Sequence, residues 1–403
     1  MSDNKFCIIP WVHMYFSPDG DVFPCCVSSI NKLGNVKEQT IEEIWNSPVI
    51  KDMRVKFLNN EEPKNCYKCF SQEKVNFRSP RIQFNSDFGK HEEKARSITY
   101  VDGTVDDLNL IYWDFRFSNI CNFKCRMCGH GLSSAWYDET IESDPDYKFD
   151  RIIHINDNSK SNILSYLDKF IDSVEEVYFA GGEPLIMDEH YYILDKLIEL
   201  GRTDVKIRYN TNLSKLSYKG KSVLDYWNQF TDVHVHISID GKGNVAEYIR
   251  NGLKWKTFDK NLKEVIKLSH LRLAFSITPQ IYNICDLPNL IDYLIELTGS
   301  DGHFIMSNIL HHPAYYSITV LPLELKTLIA GQLIERIKSL KERNYNIAAE
   351  ALAGVTKSMF LQKGDTDTYL MFRQITRELD AKRDESFSEV CPFISDWNKR
   401  YGE

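Results

Sequence analysis

Ser118-Asn119-Ile120-Cys121-Asn122-Phe123-Lys124-Cys125-Arg126-Met127-Cys128-Gly129 places three cysteines within eight residues, directly after the strand-like run Ile111-Tyr112-Trp113-Asp114-Phe115-Arg116-Phe117. Three thiolates on so short a loop can close around one soft metal centre. A cubane iron-sulfur cluster has four irons, so three protein ligands leave one iron open to a small molecule. The same spacing also serves a zinc knuckle whose fourth ligand lies elsewhere, or three buried thiols.

Downstream of this loop, strand and helix patterns alternate, as expected of a parallel sheet with crossover helices. Val174 to Phe179 reads as a strand that runs into Ala180-Gly181-Gly182-Glu183-Pro184, where two glycines and a proline stop it and let backbone approach a ligand. Tyr191 to Leu200 reads as a helix ending at Gly201. The next strand, Asp204 to Tyr209, ends at Asn210-Thr211-Asn212. Val233-His234-Val235-His236-Ile237-Ser238-Ile239-Asp240 alternates, with His234, His236, Ser238 and Asp240 on one face, so a polar interior is expected. His234 and His236 read as interior hydrogen-bonding residues. Leu271 to Ile277, a helix at Pro288 to Leu297, and a last strand at His303 to Ile309 follow, and with the strand before Cys121 this makes six strands. In such sheets ligands bind at the carboxyl ends of the strands, where these polar groups fall.

The C-x3-C-x2-C spacing of Cys121, Cys125 and Cys128 resembles the signature of the radical S-adenosylmethionine (radical SAM) superfamily. Met127 stands where that family often has an aromatic residue. The order cysteine loop, Gly181-Gly182-Glu183-Pro184, Asn210-Thr211-Asn212, then Ser238-Ile239-Asp240-Gly241 to Arg250 is similar to the family's SAM-binding succession. The resemblance implies an α/β fold with a partial (β/α)6 TIM-type barrel, in which SAM chelates the open iron of a 4Fe-4S cluster. It further implies that the backbone around Gly181, Gly182 and Glu183 faces the SAM amino group, with Glu183 orienting it. Asn210 and Asn212 are placed near the ribose or methionyl part, Ser238 and Asp240 near the ribose or carboxylate, and Arg250 on the carboxylate. Arg suits a carboxylate through its two-pronged bond, and Glu accepts from an ammonium.

The first 75 residues carry a second set of thiols: Cys7, Cys25, then Cys66-Tyr67-Lys68-Cys69. Between them Ser17-Pro18-Asp19-Gly20-Asp21 separates two strand candidates, as a hairpin does, and Thr40 and Glu43 have capping-box spacing ahead of a short helix. This block resembles the SPASM/twitch cluster-binding module. It departs from the usual pattern by preceding the barrel and lacking the extra cysteines of a full SPASM domain, which favours the shorter twitch form. The resemblance implies one auxiliary iron-sulfur cluster, 4Fe-4S or 2Fe-2S, on Cys7, Cys25, Cys66 and Cys69, with a four-cysteine zinc site as the rival. Cys26 reads as a buried small hydrophobe beside a ligand.

The expected organisation is a small α+β cluster domain (1–75), a polar connector with one helix (76–108), the barrel (109–310) and a helical C-terminal cap (311–403). His311-His312-Pro313-Ala314-Tyr315-Tyr316 could face the open side of the barrel, and from Leu323 apolar residues recur at three and four. Cys285 and Cys391 lie outside both cluster patterns. Some family members use a free cysteine as hydrogen-atom donor to a substrate radical, so both are candidate catalytic residues, although a lone cysteine is usually inert.

The chain has 403 residues, a formal charge of −8, 43% hydrophobic and 26% charged residues. That composition fits a soluble globular protein and argues against a general nucleic-acid binder. The start lacks a signal-peptide pattern and no stretch reaches the length of a membrane span, so a cytoplasmic location is expected. In that compartment ten cysteines point to metal ligation and not to disulfides. What the resemblance implies is an enzyme that cleaves SAM reductively to a 5′-deoxyadenosyl radical and takes hydrogen from a peptide or protein. A sugar, nucleoside or other metabolite is the alternative substrate, and flavodoxin or ferredoxin would be the external electron donor. The rival from another class is a non-catalytic zinc or iron-sulfur module that binds a partner.

Overall fold

Six parallel strands form the barrel wall: β4 (Tyr112–Phe115), β5 (Glu176–Phe179), β6 (Lys206–Thr211), β7 (Val233–Ser238), β8 (Arg272–Ser276) and β9 (Phe304–Ile305). The N-terminal strands β1 (His13–Phe16), β2 (Asp21–Phe23) and β3 (Gly34–Asn35) precede them in the chain. All nine share one sheet in the order β9-β8-β7-β6-β5-β4-β1-β2-β3. This computed structural model describes residues 4–28, 30–74, 78–157, 162–306 and 309–401.

The N-terminal block is therefore continuous with the barrel and not a separate body. β1 pairs in parallel with β4, Tyr15 opposite Asp114, and antiparallel with β2, Tyr15 opposite Phe23. Gly20, at φ +90, closes the turn between β1 and β2 with its N–H on the Ser17 carbonyl at 3.0 Å. The capping box expected at Thr40 and Glu43 forms and starts the helix Ile41–Trp45.

Alternation along the strands sorts the two faces of the wall. Val177, Phe179, Ile207, Tyr209, Val235, Ile237 and Phe275 are buried on the outer face, where the helices Asp188–Glu199, Trp255–Ile266 and Leu287–Thr298 cover the sheet. Each large apolar side chain so buried contributes about 1.5–3 kcal/mol. The opposite face looks into the lumen and carries charge. Asp114 pairs with Arg116 at 2.8 Å, and Glu176 pairs with Lys206 at 3.0 Å and Arg208 at 2.9 Å.

Two expectations change. Among its described residues the segment 76–108 holds two α-helices, Pro80–Phe88 and Glu92–Ile98, instead of one. Their polar composition hid them, because within the two helices only Phe84, Phe88 and Ala95, with the Arg81 stem, are buried. The last strand shrinks from His303–Ile309 to Phe304–Ile305, and residues 307 and 308 lie outside the described residues. The helices Leu323–Glu342, Asn346–Ser358, Thr366–Arg383 and Pro392–Tyr401 make up the C-terminal region. Among the described residues, no helix is long and apolar enough to cross a membrane.

Candidate functional site

The loop after β4 is tied down before it delivers its thiols. Asn119, fully buried, donates to the His130 carbonyl at 2.8 Å and accepts from the Ile153 N–H at 2.9 Å. Ser133 Oγ donates to the Phe123 carbonyl at 2.6 Å, and Trp136 Nε1 to the Cys125 carbonyl at 3.0 Å. Lys124 and Cys125 pair antiparallel with Asn251 and Arg250. So held, Cys125 and Cys128 titrate as a linked pair, Cys128 pushing Cys125 up and Cys125 pushing Cys128 down. Burial pushes Cys121 up to about 12, and Cys125 beside it adds to the rise.

The Gly181–Gly182 turn lies against this loop. The Glu183 N–H donates to the Ile120 carbonyl at 2.8 Å. Gly182 has φ +34, and a Cβ there would meet that carbonyl oxygen at 2.1 Å, so no other residue fits. Glu183 itself is 1% exposed. Its carboxylate accepts from the Thr211 hydroxyl at 2.7 Å, the Asn212 N–H at 2.6 Å and the Leu185 N–H at 3.1 Å. Burial raises its pKa to about 7 against those three bonds. The side chain therefore braces the end of β6, its carboxylate already taken up by three protein donors.

Arg250 is also engaged. Its Nη2 meets Asp240 Oδ2 at 2.7 Å and its Nη1 lies 3.9 Å from Cys125 Sγ. Asp240 accepts from the Thr278 N–H at 2.8 Å, so the pair is anchored to the end of β8. Asn212 Nδ2 bonds Asn122 at 3.1 Å and lies 4.0 Å from Cys121 Sγ. Ser238 closes β7, level with Ser276 of β8. Arg250 Nε and Asn210 Oδ1 are buried and without a hydrogen-bond partner among the described residues. A cradle that only glycine allows, two orphaned polar atoms and three adjoining thiols fit a cluster with a chelating zwitterion such as SAM.

The second thiol set also comes together. Cys7, Cys25, Cys66 and Cys69 line one apolar cavity with Ile9, Met53, Phe57 and Phe84. Burial raises all four thiols, Cys66 to about 12. A metal centre that binds thiolates removes that penalty. Arg81 joins the lining, paired with Glu73 at 2.5 Å and donating to the Phe6 carbonyl at 2.7 Å. The donor set fits an iron-sulfur cluster. Among the described residues, no three His, Cys, Asp or Glu side chains converge closely enough for a single metal ion.

Cys26 departs from expectation, being exposed. Burial of its surroundings and the nearby Asp114 carboxylate raise its thiol to about 11, with Arg116 and Arg208 opposing. It faces the lumen, as its neighbour Cys25 faces the cavity. Cys391 is buried, and its thiol donates to the Tyr282 carbonyl at 3.0 Å; Cys285 is among the groups whose charge it feels. The structure thus groups these two with each other and with Tyr369 of the C-terminal helices, and Cys391 also feels the charges of Arg126 and Asp380 beside the cysteine loop. His236 is on the lumen face as read, level with Asn210, and burial lowers it to about 4. Arg126, between two of the thiols, was not singled out by its sequence position, although a charged residue inside a ligand loop is a visible signal.

Residues 115–294 match the family model of the radical SAM superfamily, and residues 7–70 match that of SPASM, an iron-sulfur cluster-binding domain. No curated protein matches the sequence. Among solved structures, the chain is similar to native anSMEcpe with bound AdoMet, at 15% identity over 58% of this chain and 62% of that one, TM-score 0.35. It is also similar to Streptococcus suis SuiB bound to precursor peptide SuiA, at 14% identity over 73% and 64%, TM-score 0.37. The chain spans less than two thirds of the length of either.

Proposed function

The chain carries a domain of the radical SAM superfamily behind an iron-sulfur cluster-binding SPASM domain, and on that footing we propose that it modifies a peptide or protein at an unactivated carbon. One observation carries the reading: Cys121, Cys125 and Cys128 adjoin the Gly181–Gly182 cradle and the unpaired Arg250 Nε and Asn210 Oδ1. Cys121, Cys125 and Cys128 would hold a 4Fe-4S cluster with one iron left for SAM, and Cys7, Cys25, Cys66 and Cys69 the auxiliary cluster. Bound there, a reduced cluster with SAM would supply radical hydrogen-abstraction chemistry, with flavodoxin or ferredoxin as the external electron donor.

This chain's own residues bind, orient and shield. The Gly181–Gly182 backbone would receive the SAM amino group, Glu183 keeps Asn212 in place, and Arg250 Nε would meet the carboxylate while Asp240 fixes its guanidinium. Asn210 and Ser238 would hold the remainder of the ligand. In the lumen, Arg116 is already neutralised by Asp114, and Lys206 and Arg208 by Glu176. Among the described residues, each of these three lumen cations already has a carboxylate partner, whereas Asn210, His236 and Ser238 offer hydrogen bonds suited to neutral amides. That favours a peptide or protein segment over a phosphorylated sugar or nucleotide.

Anaerobic purification followed by iron and sulfide counts and a 5′-deoxyadenosine assay with dithionite and SAM tests the reading. About seven or eight irons indicate two cubanes, and about six a cubane with a two-iron cluster. Bound zinc with no nucleoside would instead establish the non-catalytic binding module. The substrate class is tested by hydrogen uptake into 5′-deoxyadenosine from a deuterated peptide library against deuterated sugars and nucleosides.

A further inference from the structure

Residues 295–403 lie beyond the radical SAM match, yet two of their carboxylates close on the cluster loop. Arg126 is fully buried between Cys125 and Cys128. Its Nη2 reaches Asp380 Oδ1 at 2.6 Å and Glu385 Oε2 at 2.5 Å. Its Nε donates to the Tyr248 carbonyl at 3.2 Å, and its guanidinium lies 3.6 Å from the centre of the Tyr248 ring. The Tyr248 hydroxyl donates to Asp380 at 2.8 Å, and Asn251 Nδ2 to Glu385 at 2.7 Å.

The neighbouring loop residues are gripped from the same helix end. Arg383 donates to the Lys124 carbonyl at 3.1 Å, pairs with Glu139 at 2.9 Å and covers the Trp136 ring at 4.5 Å. Trp136 in turn holds the Cys125 carbonyl. Asp384 turns the chain at φ +51 just past the helix Thr366–Arg383, which brings Glu385 back onto Arg126.

We propose that the end of this helix is a clamp on the cluster loop, and that Arg126 is a positioning residue. Held by Asp380 and Glu385, it fixes the orientation of Cys125 and Cys128, and the two carboxylates set the charge beside them. The inference rests on the reading that these thiols hold the SAM-binding cluster. Arg126 is compensated by these two carboxylates, so neutralising both leaves its buried cation uncompensated beside the thiols, which favours adding an electron nearby.

The test uses the anaerobically purified holoprotein with Asp380→Asn and Glu385→Gln combined, shapes that preserve packing. The midpoint potential of the SAM-responsive signal should move to more positive values, its electron paramagnetic resonance (EPR) spectrum should split into more than one species, and SAM affinity should fall about tenfold. Each single variant should shift the potential less, in the same direction, and replaces the double where that fails to fold. Glu378→Gln, on the same helix and accepting from Gln374, should change nothing. A folded, iron-replete variant with wild-type potential and spectrum overturns the clamp. A wild-type protein with no SAM-responsive cluster overturns the underlying reading instead.

Discussion

Cys25 and Cys26 are adjacent in the chain but face different chambers: Cys25 lines the apolar cavity with Cys7, Cys66 and Cys69, while Cys26 is exposed toward Asp114 and Arg116. The hairpin that carries them joins the barrel sheet through β1, so the thiol cavity and the barrel lumen meet at consecutive residues of one chain segment. Cys25→Ala should therefore lower the iron count by the complement of one cluster, and Cys26→Ala should leave it at the wild-type value. Iron and sulfide analysis of both variants decides this. An equal loss in the two would mean that Cys26 is a ligand.

Gly182→Ala places a methyl 2.1 Å from the Ile120 carbonyl at a backbone conformation that L-residues avoid. Something must move, and the cysteine loop is what the turn rests on. The expected cost is about 1–3 kcal/mol, with SAM affinity falling further than global stability. Isothermal titration of SAM alongside thermal melts separates the two. Unchanged SAM binding would show that the turn is not the cradle.

The strands after Cys121 were legible because their alternation is clean: Val233, Val235 and Ile237 bury while His234, His236 and Ser238 look inward, as the pattern requires. The thiol sets were legible from spacing. What spacing could not show was that β1 would pair in parallel with β4, because nothing local in His13–Phe16 specifies its partner. Nor could it show that Glu183 and Arg250 already have protein partners, since a motif names a side chain and not the other groups that claim its hydrogen bonds. The Asp380 and Glu385 contacts to Arg126 join residues 254 and 259 positions apart, beyond any periodic signal. Asp114 and Arg116 were visible as charges in an apolar run, and only the sheet register puts them beside Tyr15 and Tyr178.

Cys391→Ala tests the role of that thiol as a hydrogen-atom donor. A donor must meet the substrate, whereas Cys391 is 5% exposed and hydrogen-bonded to the Tyr282 carbonyl. The variant should keep both SAM cleavage and product, and lose only about 1–2 kcal/mol for the small cavity and the released carbonyl. Cys285→Ala should behave likewise. Retained 5′-deoxyadenosine with no product, measured in either variant, would restore the donor.

His190 should make stability depend on pH. Its imidazole is buried among Phe179, Tyr191 and Tyr209, with Nε2 on the Tyr209 hydroxyl at 2.9 Å. Burial lowers its pKa from 6.5 to about 3, so between those values the unfolded chain binds a proton that the folded chain does not. Stability therefore rises with pH across that window and is lost as the solution is acidified below about 6.5. Between pH 7 and pH 5 this one group should remove about 2 kcal/mol. His190→Phe keeps the ring packing and has no proton to bind, so its urea midpoint should fall less than that of the wild type over the same interval. His13 and His236, both lowered to about 4 by burial, act in the same direction and remain in the variant. The difference between the two proteins isolates His190, and equal slopes would mean that its imidazole charges without leaving its pocket.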